Sequence, residues 1–229
     1  MSGKTDRPDL RKDEVIEDEE DLRTPRDLAK SKDAKTDDGG TTDEDMPTGG
    51  GDDAAIVVDD SDIRDIQNGV VATGELARIT GVVTGVDPKS NFFFVQEPDG
   101  APEFSGIAVY FGTTTPFTKP AVGDTVTVQG TVKEFKTTGA ALSRTNLEDV
   151  TALDIGAKVA LPAPVVIASP ASLNVEATAE PYECVLVRVN APTVTKAADT
   201  YKEFQITGSV FVDDRLYDYS TKLPKVGDT

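Results

Sequence analysis

The sequence predicts an all-β protein: a five-stranded barrel followed by a second, incomplete unit of the same kind, after a disordered acidic tail. Three observations predict it. Ile107, Val109 and Phe111 alternate with Ala108 and Tyr110, and Val126, Val128, Gly130 and Val132 alternate with Thr127, Gln129 and Thr131. Such period-two runs, rich in β-branched and aromatic side chains, mark half-buried strands. Gly, Pro and Asp gather between the runs, where hairpin connections need them. Finally, Lys119–Thr125 recurs as Leu223–Thr229, keeping Pro and Val-Gly-Asp-Thr in place, and a recurring segment signals a repeated structural unit.

Residues 1–56 carry 18 Asp and Glu against 9 Lys and Arg, with few large apolar side chains. A segment of this kind cannot bury enough apolar area to offset chain entropy, so a disordered tether is expected, with a transient helix near Arg26–Lys32. The barrel is assigned to residues 57–157, and a linker with the incomplete second unit to 158–229.

Within the barrel, Asp62–Gln67 forms a helical turn or a lead-in strand, and Ile63 and Ile66, three apart, plug one end. Leu76–Val86 is a long first strand; Gly81 and Gly85 mark a bulge or bend, as glycine inside a strand commonly does. Asn91–Glu97 is the second strand, with Phe93 and Val95 facing one way and Phe92, Phe94 and Gln96 the other. Ile107–Phe111 is the third strand, and a fourth runs from Asp124 to about Phe135. A turn at Thr137–Gly139 leads to an irregular fifth strand, Ala141–Leu153, with Leu142, Leu147, Val150 and Leu153 as candidate core.

Beyond it, Pro162, Pro164 and Pro170 break regular structure. Val165–Ile167 reads as an edge strand and Ala171–Ala177 as a short helix. Cys184–Val189, apolar at alternate positions and continuing to Val194, opens the second unit, followed by strands at Glu203–Ile206 and Val210–Asp213. The first copy of the repeated motif leads straight into a core strand. The second ends the sequence, so a fragment with an unpaired, aggregation-prone edge is expected.

Several segments in order carry a resemblance: Gly81–Thr84, Phe93–Gly100, Ser105–Tyr110 and Val122–Val132, then Glu180–Glu183, Val185–Val189 and Val212–Asp214. Together they resemble the OB-fold modules found beside catalytic domains in bacterial extracellular nucleases and in related surface proteins. The resemblance implies a five-stranded OB-like barrel and a second, truncated OB-like unit. It also implies nucleic-acid or ligand binding at or outside the cell surface. No apolar leader follows Met1, and Cys184 stands where the resemblance suggests a small residue.

The residues exclude much chemistry. With no His, neither a Ser-His-Asp nor a Cys-His arrangement can form. One Cys and no His leave no ordinary zinc set, and there is no phosphate-binding glycine loop. Asp59-Asp60, Glu148-Asp149 and Asp213-Asp214 are adjacent acids, which point to opposite faces of a strand and suit a two-carboxylate hydrolase poorly. Asp213-Asp214 reads as a turn, with Ca²⁺ as the alternative. The expectation is no catalytic residue, metal or cofactor, with Cys184 packed and inert. No run approaches the length of a transmembrane helix, and nothing in the sequence sets an oligomeric state.

What remains is a stacking surface. OB-folds bind across strands two and three, where single-stranded nucleic acid uses base–aromatic stacking plus backbone charge. Phe92, Phe94, Gln96 and Tyr110 occupy that face, with Lys89, Lys133, Lys136 and Arg144 as groove-lining cations. Equally, the phenylalanines can be core. Residues 57–229 hold 23 acids against 14 bases, which opposes a generic phosphate-binding surface. The candidate partners are therefore single-stranded nucleic acid, or a surface protein or glycan bound by a spacer module. A nuclease fragment with its catalytic domain beyond Thr229 is the third alternative.

Overall fold

A computed structural model of the chain describes residues 58–113, 117–136 and 143–229, all within one compact unit. The expected acidic tether, its helix at 26–32, the turn at 137–139 and Leu142 lie outside the described residues. Strand β1 spans Leu76–Val86, β2 Phe92–Gln96, β3 Gly106–Tyr110, β4 Asp124–Phe135 and β5 Arg144–Lys158. They close as a barrel in the order β1-β2-β3-β5-β4. All neighbours are antiparallel except β3 and β5, which run parallel. This is the Greek-key closure of an OB-fold.

Alternation decides the interior. Val83, Phe93, Val95, Ile107, Val109, Val128 and Leu147 are fully buried, with Phe111, Val126, Val132 and Val150 beside them. Helix α1, Ile63–Gln67, seats Ile63 and Ile66 in one end of the barrel, as the three-residue spacing predicts. It is pinned from outside, where Arg64 pairs with Glu97 at 2.7 Å.

Glycines permit the strands to bend and approach. The β1–β2 register shifts between Val83 and Gly85, the bulge expected there. At Gly81 a β-carbon would come within 2.6 Å of Val95 Cγ1.

Three boundaries differ from expectation. Strand β3 stops at Tyr110, although Phe111 stays in the core, 5.8 Å from Phe93. Strand β5 runs on to Lys158 through exposed residues, because Asp124 to Val128 of β4 continue to pair with it. The 171–177 helix is instead a 3-10 turn at Pro170–Asn174 and a short α2 at Glu176–Ala179.

The rest forms two small sheets. Strand β6, Val165–Ile167, pairs in parallel with β7, Val187–Val189. Strands β8, Val194–Lys196, β9, Phe204–Ile206, and β10, Val210–Val212, form an antiparallel meander. Residues 181–186 lie as a strap on the barrel, so Cys184–Leu186, expected to begin a strand, precede β7 instead. The Phe104 amide donates to the Pro181 carbonyl at 2.6 Å, and the Thr145 amide to Glu183 Oε1 at 2.8 Å. Gly106 lets this strap come close: a β-carbon there would lie 2.7 Å from the Val185 nitrogen.

Candidate ligand cleft

The outward face of β2 and β3 carries the sequence-predicted aromatics. Phe92 and Tyr110 are cross-strand partners, which puts their rings in contact. The ring centroids are 4.7 Å apart and the planes 29° from parallel. Arg144, the first residue of β5, lays its guanidinium 5.0 Å from the Phe92 centroid and 5.5 Å from that of Phe135, at the end of β4. Its Nε donates to Asn146 Oδ1 at 2.8 Å, which holds the planar group over the rings. Cation–π attraction adds about 0.5–1 kcal/mol at such a partly exposed site.

Phe92, Arg144 and Phe135 of this row line a cleft of about 460 Å³, closed on its far side by Asp213, Arg215 and Leu216 from the turn after β10; Tyr110 stands outside it. Phe94 lines it too. A neighbouring cleft of about 420 Å³ shares Phe92, Asp213 and Arg215 and reaches Lys89 and Tyr201. Tyr201 is exposed, as is Phe135.

Some candidates stand elsewhere. Gln96 is buried rather than open: its Nε2 donates to Ser105 Oγ at 3.2 Å and its Oε1 accepts from the Leu186 amide at 3.0 Å. It ties the strap to the barrel and has no free face for a ligand, a correction to its place on the stacking surface. Lys89 Nζ pairs with Asp214 at 3.0 Å. Lys133 pairs with Asp149, and neither it nor Lys136 lines either cleft. The phenylalanines divide: Phe93 is core, whereas Phe92 and Phe94 are half-buried on the outer face.

Sequence reasoning missed Phe135, Arg215 and Leu216. Phe135 continues the alternation of β4 past Val132 on the Lys133 side, a signal that was available. Arg215 and Leu216 come from a turn with no local pattern. Asp213 and Asp214 serve that turn. Asp213 Oδ1 accepts from the Arg215 amide at 2.9 Å, and Asp214 accepts from both Lys89 and Lys202, which hold its carboxyl below the usual range.

At the strap, burial pushes Glu183 up to about 7; the Thr145 amide opposes this, while Glu180 and Glu134 add to it. Burial pushes the Cys184 thiol up as well, away from the reactive thiolate.

No protein-family model matches the sequence, and no curated protein matches it significantly. Among solved structures the chain is similar to an aspartyl-tRNA synthetase from Entamoeba histolytica, at 14% identity and a TM-score of 0.34, over 47% of this chain and 23% of that one. It is also similar to a protein assigned as an aspartyl-tRNA synthetase from Leishmania major Friedlin, at 15% identity and a TM-score of 0.34, over 52% and 24%. The matched region is thus about a quarter of each of those proteins.

Proposed function

We propose that the chain is a non-catalytic OB-fold binding module whose cleft takes a single strand of nucleic acid. The observation that supports this most is the succession of Phe92, the Arg144 guanidinium and Phe135 along an open cleft, with Tyr110 stacked on Phe92 beside it. A base stacks on the exposed ring of Phe135 or on Phe94, worth about 1–3 kcal/mol per base. Arg144 and Arg215 meet the neighbouring phosphates. The surrounding acids keep affinity low and make binding a matter of this cleft rather than of the whole surface.

A second reading, a spacer module that binds a surface protein or glycan, is favoured by one feature. The strap and the 213–216 turn cover much of the face on which an OB-fold ligand lies. Surface or extracellular placement, and kinship with modules of bacterial extracellular nucleases, belong to the same proposal and rest on the motifs alone.

Anisotropy of a labelled mixed-sequence oligonucleotide at low salt separates the readings. Phe135→Ala and Phe94→Ala should each weaken binding by about 1–3 kcal/mol, while Phe135→Ala, at an exposed ring, costs the fold no more than its Arg144 contact, about 0.5–1 kcal/mol. A wild-type chain that binds no oligonucleotide under these conditions would reject the nucleic-acid reading and leave the spacer.

A further inference from the structure

The two clefts that meet at Phe92 differ in charge. The first is lined by Arg144 and Arg215 against Asp213. The second is lined by Asp87, Glu203, Asp213 and Asp214 against Lys89 and Arg215. A phosphate is therefore drawn to the first and repelled by the second. The second cleft suits a neutral group that presents hydrogen-bond donors.

Three turns meet around that second cleft. Lys89 comes from the β1–β2 turn, Tyr201 and Lys202 from the β8–β9 turn, and Asp213–Arg215 from the turn after β10. Asp214, with a side chain only 13% exposed, accepts from Lys89 and from Lys202, each at 3.0 Å, and so ties the three together. In the β8–β9 turn, Asp199 Oδ1 accepts from the amides of Tyr201 at 2.8 Å and Glu203 at 3.1 Å. Tyr201, on the cleft wall, is 79% exposed, so its ring is open to a planar ligand.

The carboxylates of this cleft are not equivalent. Asp87 accepts from the Lys89 amide at 2.8 Å with one oxygen and from the Ser90 hydroxyl at 2.7 Å with the other. Asp214 Oδ2 is taken by the two lysines. Asp213 Oδ1 accepts from the Arg215 amide at 2.9 Å, but its Oδ2 lies 3.8 Å from Arg215 Nε, beyond hydrogen-bond range. A carboxylate has about four acceptor sites, so Asp213 has room for two further donors side by side. It is also the one acid that lines both clefts.

We infer that Asp213 is a base-specificity residue: it reads guanine, accepting from N1–H and from the 2-amino group, while the base stacks on Tyr201. This rests on the nucleic-acid reading of the cleft. Bases of a single strand are read on their Watson–Crick edges. Guanine is the only common base with two adjacent donor groups on that edge; adenine, cytosine, uracil and thymine each offer one. The two oxygens of a carboxylate meet such a pair as they meet the paired N–H groups of a guanidinium. The next nucleotide then falls in the first cleft, where Phe94 and Phe135 offer rings and Arg144 meets a phosphate.

Anisotropy of the full chain with labelled thymidine pentanucleotides tests this, the central base being guanine, hypoxanthine, adenine or thymine. The guanine oligomer should bind about tenfold more tightly than the all-thymine one, the worth of one good bidentate base contact. Hypoxanthine keeps N1–H and O6 but lacks the 2-amino group, and it should lose most of that advantage; adenine should show none. Asp213→Asn should abolish the difference between the guanine and thymine oligomers. The hypoxanthine arm alters the ligand alone, so it decides the matter even if that variant disturbs the turn. Equal binding of the guanine and thymine oligomers would overturn the assignment and leave the nucleic-acid reading standing. So would a guanine preference that survives both hypoxanthine and Asp213→Asn. Binding of no oligomer at all would overturn both.

Discussion

Gly106 is the residue on which the strap depends. It faces the backbone of Cys184 and Val185, so any side chain must displace main chain rather than a flexible tip. Gly106→Ala should therefore destabilise the protein by about 1–3 kcal/mol, the usual cost of overpacking, as a lower urea midpoint. An unchanged midpoint would mean that the strap does not sit there.

Glu183, on the same strap, binds its proton more tightly folded than unfolded, because burial and the neighbouring Glu180 and Glu134 carboxylates outweigh the opposing Thr145 amide and Arg144. A raised carboxyl pKa contributes stability that is fully present below the unfolded value, 4.5, and is lost as pH rises to the folded value, about 7. The wild-type chain should thus lose stability as pH rises from 4.5 to about 7, relative to Glu183→Gln, whose side chain does not titrate. Melting temperatures of the two chains that run parallel across that interval would show that Glu183 does not carry this shift.

At the level of elements, α1 does more than its five residues suggest. It is too short to be stable alone, yet it holds Ile63 and Ile66 in the barrel mouth. Its stability comes from that burial and from Glu97, which accepts from the Ile63 amide and pairs with Arg64. Ile66→Ala should cost about 2–5 kcal/mol, as truncation of a buried isoleucine does, measured by chemical denaturation. Less than about 1 kcal/mol would show that the helix frays without the barrel noticing, since surface substitutions fall within that range. A register shift interrupts β1 between Val83 and Gly85 and β8 between Val194 and Lys196, and a bulge is the device that bends a strand around a barrel.

For the whole molecule, charge governs how the cleft is approached. The formal net charge is −18, so long-range forces oppose the approach of the proposed nucleic-acid ligand to Arg144 and Arg215. With two guanidiniums engaged, the logarithm of the oligonucleotide association constant should fall with the logarithm of salt concentration at a slope of about −1.4. A titration from low to moderate salt checks this. A slope several times steeper would mean contacts far outside the cleft.

The alternation of Ile107–Phe111 and Val126–Val132, the paired isoleucines of α1, the glycine bends and the recurring Val-Gly-Asp-Thr turn were all legible in the sequence. They are set within a few residues by side-chain period and turn chemistry. Of the expected stacking surface, Phe92, Phe94 and Tyr110 could be placed on one face by that same period, whereas the sequence marks Arg144 only as a cation that could line the groove. What only the tertiary structure decided was which of the outward residues stay open. Gln96 reads as a groove residue, but the Leu186 amide, 90 residues away, takes its carbonyl oxygen. Arg215 and Leu216 become cleft walls because their turn folds back on β2. Local pattern assigns a side chain to a face; long-range packing decides what covers that face.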